Sequence, residues 1–346
     1  MSNPLKTDLE HIFKNTFELW EDFRGKKIFI TGGTGFFGCW LLESFLWANE
    51  KLNLNATVTV LTRNPAIFAL KVPHLSSHSA IQILEGDILS FKYPKGKFSH
   101  IIHAATEASA KLNQENPLLM FNTIVDGTKN ILDFALHCQA EKFLSTSSGA
   151  VYGKQPPEIS HVAEDYVGSP DLSNPSSAYG EGKRAAELLC NLYNQQYGIE
   201  TKIARCFAFV GPYLPLDTHF AIGNFINNGL KGEPILIKGD GTPIRSYLYA
   251  GDLIIWLLTI LIKGKPYDPI NVGSEVAFSI AELANIVSEC FEITPKVTIV
   301  QKKLANQPRE SYLPSVKKAL DELNLKQTIS LRDAIKKTID FELIRR

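Results

Sequence analysis

Tyr179 and Lys183 are the residues whose types and spacing most directly suggest chemistry, because they stand four apart in a segment whose pattern predicts a helix from Ser177 to Tyr197. Residues four apart on a helix share a face. A tyrosine has an ordinary pKa of about 10 and is a poor base at neutral pH, but a nearby ammonium stabilises the phenolate and lowers that pKa. The spacing therefore predicts a proton-transferring pair. The alternative is a buried tyrosine and a surface lysine at chance spacing, and a glycine-rich turn upstream argues against it.

That glycine-rich turn directly follows the first predicted strand, Lys27 to Thr31, and its glycines fit both GxGxxG and GxxGxxG: Gly32, Gly33, Gly35 and Gly38. Such glycines allow a tight turn, let a pyrophosphate approach the backbone and let strand and helix pack closely. The start of the next helix also offers free N–H groups to phosphates. Because the motif lies between a predicted strand and a predicted helix, Phe37 to Trp47, it predicts a dinucleotide site that includes Phe36 and Phe37.

The end of the second predicted strand bears on which dinucleotide binds. An acidic residue there would hydrogen-bond the ribose hydroxyls of NAD. This chain has Thr62, which lacks a carboxylate, followed by Arg63, whose guanidinium can pair with a 2′-phosphate. The pattern favours NADP and leaves NAD possible. Arg63 could instead be a solvated surface arginine or stack on the adenine.

Predicted strands alternate with predicted helices as far as residue 206, which indicates a parallel sheet covered by helices on both faces. We therefore predict an α/β fold, a Rossmann-type doubly wound parallel sheet with a smaller, partly interleaved C-terminal substrate lobe. Besides the first strand, the predicted strands are Val58–Leu61, Ile81–Leu84, Ile101–Ile102, Phe143–Thr146 and Lys202–Cys206. The long predicted helices are Leu118–His137 and Ser177–Tyr197.

The same pattern divides the chain into segments. Residues 1–25 form an N-terminal unit, in which apolar residues at helical spacing predict an amphipathic helix over 7–24 that packs on the main domain or on a partner subunit. Residues 26–206 form the dinucleotide-binding Rossmann domain. The stretch 246–272 is expected to return to it. Residues 207–245 and 273–346, where prolines and glycines punctuate loops, form the substrate lobe.

Composition excludes several classes of partner. The 346 residues include 36 Lys plus Arg and 36 Asp plus Glu, and this net charge of zero gives no support for nucleic acid or an anionic membrane as a partner. The five cysteines are scattered without a CxxC pair, so we expect neither a metal site nor disulfides, but reduced thiols in a cytoplasmic protein. The most apolar run, Leu253 to Ile262, is shorter than the roughly 20 residues that span a bilayer and predicts a buried helix.

Seven motifs follow one another along the chain: Thr31 to Gly38, Gly86-Asp87-Ile88, His103-Ala104-Ala105, Asn122 to Asn130, Ser147 to Gly153, Tyr179 to Lys183, and Gly239 to Asp252. In this order they resemble the extended short-chain dehydrogenase/reductases, and within them the NAD-dependent epimerase/dehydratase group, which modifies nucleotide-activated sugars. The resemblance runs from about Lys26 to near the C-terminus.

The resemblance implies roles for particular residues. It places Asp87, Ile88, Ala104, Ala105 and Asn122 against the cofactor, gives Lys183 the nicotinamide ribose, and lets Ser148 hydrogen-bond the reacting oxygen of the substrate. It also implies substrate contacts from Glu107, and from Arg245 and Arg309 to the diphosphate of the sugar nucleotide, although both arginines could instead form ordinary salt bridges. A homodimer joined through the two long helices is expected by the same analogy.

Departures from the family pattern reduce the number of reactions that this chain could catalyse. In the sugar-nucleotide 4,6-dehydratases of the group, the two residues after the serine position are Asp and Glu, which supply acid and base; here they are Gly149 and Ala150. Dehydration is therefore disfavoured, and decarboxylation of a uronic acid is weakened. Two reactions remain: NADPH-dependent reduction of a 4-ketosugar nucleotide, favoured by Thr62 and Arg63, and 4-epimerisation with retained NAD. A non-catalytic dinucleotide-sensing protein is the alternative of another class, and the intact trio of Ser148, Tyr179 and Lys183 argues against it.

Overall fold

The computed structural model describes residues 3–105, 110–218, 220–301 and 309–345. Its strands are β1 (Lys27–Thr31), β2 (Thr57–Thr62), β3 (Ile81–Glu85), β4 (His100–His103), β5 (Lys142–Ser148), β6 (Glu200–Cys206), β7 (Phe209–Val210), β8 (Ile235–Ile237), β9 (Ile244–Arg245), β10 (Leu248–Tyr249), β11 (Ile270–Val272), β12 (Phe278–Ser279), β13 (Val297–Ile299) and β14 (Ser311–Tyr312).

The α-helices are α1 (Lys6–Thr16), α2 (Phe36–Leu52), α3 (Pro65–Lys71), α4 (Pro73–Ser76), α5 (Ala110–Glu115), α6 (Pro117–His137), α7 (Ala178–Tyr197), α8 (Ala221–Leu230), α9 (Ala250–Lys263), α10 (Ile280–Ser288), α11 (Lys317–Leu323) and α12 (Leu331–Arg345). Short 3₁₀ turns cover Phe17–Phe23, Gly149–Tyr152 and Pro175–Ser177. In the parts of the chain that the structure describes, no helix is both long enough and apolar enough to cross a bilayer.

Seven parallel strands form the central sheet, in the order β11-β6-β5-β4-β1-β2-β3. Successive side chains of a strand point to opposite faces, and β1 shows the result: Ile28 and Ile30 enter a core with α2 and α9, whereas Phe29 enters a separate core with Phe134 of α6. Both faces are thus covered by helices, and the Rossmann-type doubly wound fold predicted from the alternation is confirmed.

The N-terminal segment differs from the single helix predicted over residues 7–24. The α-helix ends at Thr16, and the chain continues as a 3₁₀ turn to Phe23. The Thr16 hydroxyl donates to the Ile12 carbonyl at 2.7 Å and accepts from the Trp20 indole at 2.9 Å. Such back-bonding by threonine bends helices. The segment packs against α9 and α2 of its own chain.

Strand β11 pairs with β6 in the central sheet, although segments before and after it build small sheets elsewhere. Those sheets have the orders β10-β7, β12-β9-β14 and β13-β8. In the three-stranded one, β14 runs parallel to β9 with Tyr312 opposite Arg245. The C-terminal residues thereby come to the carboxyl end of the central sheet. The boundaries assigned to the two lobes remain a prediction.

Candidate active site

The glycine turn lies between β1 and α2, at the carboxyl end of the sheet where the strand order reverses between β1 and β4. Gly32 has a φ of +73°, and a Cβ there would stand 2.5 Å from the Ala104 carbonyl oxygen. A Cβ on Gly38 would stand 2.3 Å from the Gly32 carbonyl oxygen, so strand and helix touch through backbone. A Cβ on Gly35 would instead meet its nearest neighbour at 3.4 Å. The space in front of the α2 N-terminus is therefore open to a phosphate group, and the turn fits a dinucleotide.

The residues expected to contact the adenosine ribose lie at the end of β2. Thr62 is buried and its hydroxyl accepts from the Asn64 N–H at 3.3 Å, while Arg63 is exposed beside it. A second cation was missed by the sequence interpretation. The Lys71 ammonium, at the end of α3, donates to the Thr34 carbonyl in the glycine turn at 3.1 Å. The periodic pattern gave no signal for α3, which is a short helix that begins at Pro65.

Asp87 and Ile88 follow β3 in a tight turn. One Asp87 carboxylate oxygen accepts from the Leu89 N–H at 2.9 Å. The Ile88 carbonyl accepts from the Asn130 amide of α6 at 2.7 Å, and its side chain packs on Gly127. Asn122 lies exposed on the same helix. These contacts tie the β3 turn to α6, on the side of the glycine turn where an adenosine would lie.

A buried hydrogen-bond chain joins β1, β4 and α6 beneath Ala104 and Ala105. The Ala105 N–H donates to the Thr31 hydroxyl at 3.1 Å, and that hydroxyl lies 2.8 Å from His103 Nδ1. His103 Nε2 lies 3.1 Å from the Thr128 hydroxyl, so each ring nitrogen has a hydroxyl partner. Burial, and then the charge of Lys183, lower the His103 pKa to about 3, so the imidazole is neutral and holds the strand end rigid.

Ser148, Tyr179 and Lys183 come together at the end of β5. Ser148 is the last residue of that strand, and its hydroxyl hydrogen-bonds the Tyr179 phenol. Tyr179 and Lys183 lie in the first two turns of α7, and the Lys183 ammonium donates to the Thr146 carbonyl of β5 at 2.7 Å. The two hydroxyls meet at the last residue of β5, and the ammonium is bonded to the same strand two residues earlier.

The expected lowering of the Tyr179 pKa is wrong for this structure. Burial raises the pKa of Tyr179 to about 12, more than the hydrogen bond from Ser148 lowers it. Burial lowers the pKa of Lys183 to about 8. The physical reason is that the low-dielectric surroundings penalise both charged forms. At neutral pH Tyr179 therefore carries its proton and can give it away.

Helix α7 is held in place by a charged pair behind the site. Arg205 of β6 contacts Glu187 of α7 through two nitrogens, with a closest distance of 2.7 Å, and Glu187 also accepts from the Ser147 hydroxyl at 2.5 Å. Gly182 lets α7 approach α6 closely, since a Cβ there would stand 3.3 Å from Ile124. The orientation of Tyr179 and Lys183 toward β5 follows from these contacts.

Tyr312 of β14 is a site residue that the sequence interpretation missed. Its hydroxyl lies 3.5 Å from the Ser148 Oγ. A Cβ on Gly149 would stand 2.7 Å from that hydroxyl and 2.6 Å from the ring of Phe207, against which the Tyr312 ring packs at a 38° tilt. Burial raises the pKa of Tyr312, so it is a neutral phenol. At the acid position of the dehydratase pattern, a side chain in place of Gly149 would require Phe207 and Tyr312 to shift.

The predicted substrate arginines have different surroundings. The Arg245 guanidinium lies 6.0 Å from the Tyr312 ring centroid and pairs with Glu310 at 2.6 Å, so it is both near the trio and engaged in a salt bridge. Arg309 is exposed, and its charge helps to lower the pKa of Glu282. Glu107 lies outside the described residues. Among the residues the structure describes, no group of three or more His, Cys, Asp or Glu could hold a metal ion.

Fold and site together define an enzyme of the extended short-chain dehydrogenase/reductase class that uses a nicotinamide dinucleotide. The family model described as the NAD dependent epimerase/dehydratase family matches residues 28–273. The chain belongs to this family. The option of a non-catalytic dinucleotide sensor is thereby set aside.

Relatives and solved structures agree with this class. UDP-glucuronic acid decarboxylase 6 of Arabidopsis thaliana is 31% identical over 309 residues, which are 89% of this chain and 86% of that protein. UDP-glucuronic acid decarboxylase 1 of Xenopus tropicalis is 28% identical over 91% of this chain and 72% of that protein. The structure of UDP-glucuronic acid 4-epimerase from Bacillus cereus, in complex with UDP-glucuronic acid and NAD, has a TM-score of 0.78 at 23% identity, covering 92% of this chain and 100% of that one.

Proposed function

We propose that the protein reduces the 4-keto group of a nucleotide-diphosphate sugar with NADPH. One observation carries the proposal: the hydroxyl that would meet the substrate is that of Tyr179, a half-buried phenol that is hydrogen-bonded to Ser148 and whose pKa desolvation raises to about 12. A protonated phenol is the form needed to give a proton to a ketone oxygen. Oxidation of an alcohol would need the phenolate, which burial disfavours.

The chemistry balances with this set of side chains. A reduced dinucleotide held by the glycine turn would supply the hydride for the carbonyl carbon, and Tyr179 would give its phenolic proton to the carbonyl oxygen, so the ketone would become a secondary alcohol. Ser148 holds that oxygen by a hydrogen bond. Lys183, whose ammonium is bonded to the Thr146 carbonyl, would hold the ribose of the dinucleotide, as the family resemblance implies, and solvent would return a proton to Tyr179.

The preference for NADP over NAD rests on the end of β2. Thr62 offers no carboxylate to the ribose hydroxyls, and Arg63 is exposed beside it. The Lys71 ammonium at the Thr34 carbonyl adds positive charge near the same turn. Cations at this place favour the additional 2′-phosphate of NADP.

The second candidate is a 4-epimerase that retains NAD. The solved structure of Bacillus cereus UDP-glucuronic acid 4-epimerase, which has a closely similar fold and was obtained with NAD, favours it. The decarboxylase relatives add a third reaction on UDP-glucuronic acid. We do not propose it, because Gly149 and Ala150 stand at the two acidic positions of the dehydratase pattern and cannot transfer protons.

The deciding experiment measures cofactor oxidation with a 4-keto-6-deoxyhexose linked to dTDP, UDP, CDP or GDP, using NADPH and NADH in parallel. A reductase consumes one NADPH per sugar reduced, and Tyr179→Phe should lower that rate by about 10²–10⁴-fold while cofactor affinity stays unchanged. Arg63→Ala should remove most of the preference for NADPH, since a hydrogen bond to a charged group contributes about 1.5–3 kcal/mol. Interconversion of UDP-hexoses without net cofactor oxidation, with NAD retained on purification, would show the epimerase instead.

We also propose a homodimer and a cytoplasmic location. The outer faces of α6 and α7 carry exposed apolar side chains, among them Leu118, Leu188 and Leu192, which supports burial against a second copy. Five free cysteines, four of them buried, support a reducing compartment.

A further inference from the structure

The first turn of α7, which carries Tyr179, is capped by a side chain from another helix. The first N–H groups of any helix have no partner within the helix. Ser177, which precedes α7, makes no capping bond, because its hydroxyl donates to the Asp171 carbonyl at 2.6 Å. The Tyr179 N–H donates instead to the side-chain oxygen of Asn113 at 3.2 Å. The candidate proton donor is thereby tied to α5, whose residue Asn113 stands 66 positions earlier in the chain.

The Asn113 amide makes a second bond to the same region. Its nitrogen donates to the Ser176 carbonyl at 2.7 Å. Because a backbone N–H needs the amide oxygen and a backbone carbonyl needs the amide nitrogen, the two bonds together define the orientation of the side chain. Asn113 therefore joins the 3₁₀ turn that ends at Ser177 to the first turn of α7, and both groups of its amide are used.

The ring of Tyr179 is held by neighbouring helices as well. It packs against a small apolar cluster formed by Met120 and Ile124 of α6 and Ala186 of α7. Leu112, the residue before Asn113, packs against the same cluster. Helix α5 thus contacts the surroundings of the Tyr179 ring through one residue and the backbone of Tyr179 through the next.

Tyr179 and Lys183 do not depend equally on this cap. Tyr179 is the second residue of α7 and lies in the turn where helices fray. Lys183 lies one turn further on, and its ammonium is bonded to the Thr146 carbonyl of β5 at 2.7 Å. Removing the cap would therefore loosen the phenol at Ser148 and leave the ammonium in place.

We propose that Asn113 is a positioning residue for proton transfer, because it holds the first turn of α7 so that the Tyr179 phenol stays at the Ser148 hydroxyl. In this role it acts through Tyr179 and contacts neither the substrate nor the dinucleotide. The inference rests on the proposed function, since it takes Tyr179 as the group that gives its proton to the substrate. A misplacement of about 1 Å can cost about 100-fold in rate, so a lost cap is expected to affect turnover.

The test compares Asn113→Ala with Asn116→Ala, a matched control three residues away. Asn116 caps α6 by accepting from the Leu119 N–H at 3.2 Å, so each variant loses one cap of the same kind and should lose a similar amount of thermal stability. Asn113→Ala should also lower the kcat of NADPH oxidation with a 4-ketosugar nucleotide by about three- to thirtyfold, the range that one lost cap implies. The KM for NADPH should stay within about twofold of the parent value, because Lys183 is not displaced. Asn116→Ala should keep the parent kcat.

A conservative variant tests which bond matters. Asn113→Asp keeps the oxygen that accepts from the Tyr179 N–H, and aspartate caps helices about as well as asparagine does. It should recover most of the kcat that Asn113→Ala loses. An Asn113→Asp variant no faster than Asn113→Ala overturns the inference.

Hydrogen exchange measures the cap without any substrate. In the cofactor-free protein, the Tyr179 amide should exchange about three- to thirtyfold faster in Asn113→Ala than in the parent, and at the parent rate in Asn116→Ala. A kcat of Asn113→Ala equal to that of the parent, or an equal fall in Asn116→Ala, overturns the inference while the proposed function stands. A parent that reduces no 4-ketosugar nucleotide overturns the proposed function. The exchange rates then decide whether Asn113 holds Tyr179, and no acceleration in Asn113→Ala overturns that as well.

Discussion

Tyr179 and Lys183 have pKa values displaced in opposite directions by one cause. Burial raises the pKa of the phenol to about 12 and lowers the pKa of the ammonium to about 8, so each group is driven toward its neutral form. A site that disfavours charge before the reaction is suited to a step that begins with a neutral ketone and a neutral phenol. The same burial has a cost for the folded protein, since Lys183 is only 5% exposed and largely charged at neutral pH.

Lys183→Met should therefore make the cofactor-free protein more stable and inactive. The methionine keeps an unbranched side chain of similar length but removes the buried charge, although the Thr146 carbonyl loses its donor. We expect the free energy of unfolding at pH 7 to rise by about 1–3 kcal/mol, measured by urea denaturation. The folded pKa is depressed from 10.5 to about 8, so the parent regains stability as pH rises through this window. The gap between parent and variant should accordingly shrink toward pH 10, and a variant that unfolds more easily than the parent at pH 7 would contradict this account.

Spacing identified Tyr179 and Lys183 because both lie on one helix, where sequence separation determines geometry. It could not identify Tyr312, which reaches Ser148 only through the pairing of β14 with β9, two strands of two residues each. The displaced pKa of Tyr179 was equally hidden, since burial depends on the whole fold. The sequence identifies residues of the site, but their ionisation states depend on burial, which only the folded structure determines.

At the scale of elements, the turn between β1 and α2 contains glycines with two different roles. Gly38 is needed for the fold, since a Cβ would stand 2.3 Å from backbone atoms of Gly32 and Gly33. Gly35 has its nearest contact at 3.4 Å, which a small adjustment accommodates. Its lack of a side chain matters mainly for what approaches from outside, in front of the helix N-terminus.

We expect Gly38→Ala to lower the thermal stability markedly and Gly35→Ala to leave it almost unchanged. Gly35→Ala should nevertheless weaken dinucleotide binding at least tenfold, because a methyl group would stand where the pyrophosphate approaches the backbone. Thermal unfolding and fluorescence titration with NADPH check the two effects on the same samples. If Gly35→Ala bound the dinucleotide as the parent does, the phosphates would lie elsewhere.

The strands of the central sheet and the long helices that cover it could be predicted from the sequence, because each is long enough to show a regular spacing of hydrophobic residues. Strand β1 was predicted with the bounds it has, and α6 and α7 differ from prediction by one residue at the start. The N-terminal helix was predicted too long because Thr16 and the 3₁₀ turn after it keep a helical spacing of apolar residues. The strands of the small sheets are too short to carry a period at all.

At the scale of the whole molecule, the exposed apolar face of α6 and α7 carries a prediction of association. The side chains of Leu188 and Leu192 are 57% and 39% exposed. Replacing both by glutamate would place charges in a buried interface, so the double variant should be monomeric where the parent is dimeric. Light scattering at micromolar concentration measures this. Ile293→Glu is the control, because that side chain is 89% exposed on another surface and should not change the mass. A parent that is itself monomeric would refute the dimer.

Strand β11 has a consequence for cutting the protein into parts. It borders β6 at one end of the central sheet, yet in the chain it follows four strands of the small sheets, β7 to β10. A fragment that stops at Cys206 would expose the N–H and C=O groups of β6 as an open edge, which recruits strands from other chains. The cofactor-binding half is therefore unsuited to expression as a separate biosensor module. A split version should become soluble only when the piece supplied in trans spans residues 250–274, because α9 covers one face of the sheet and β11 covers the β6 edge.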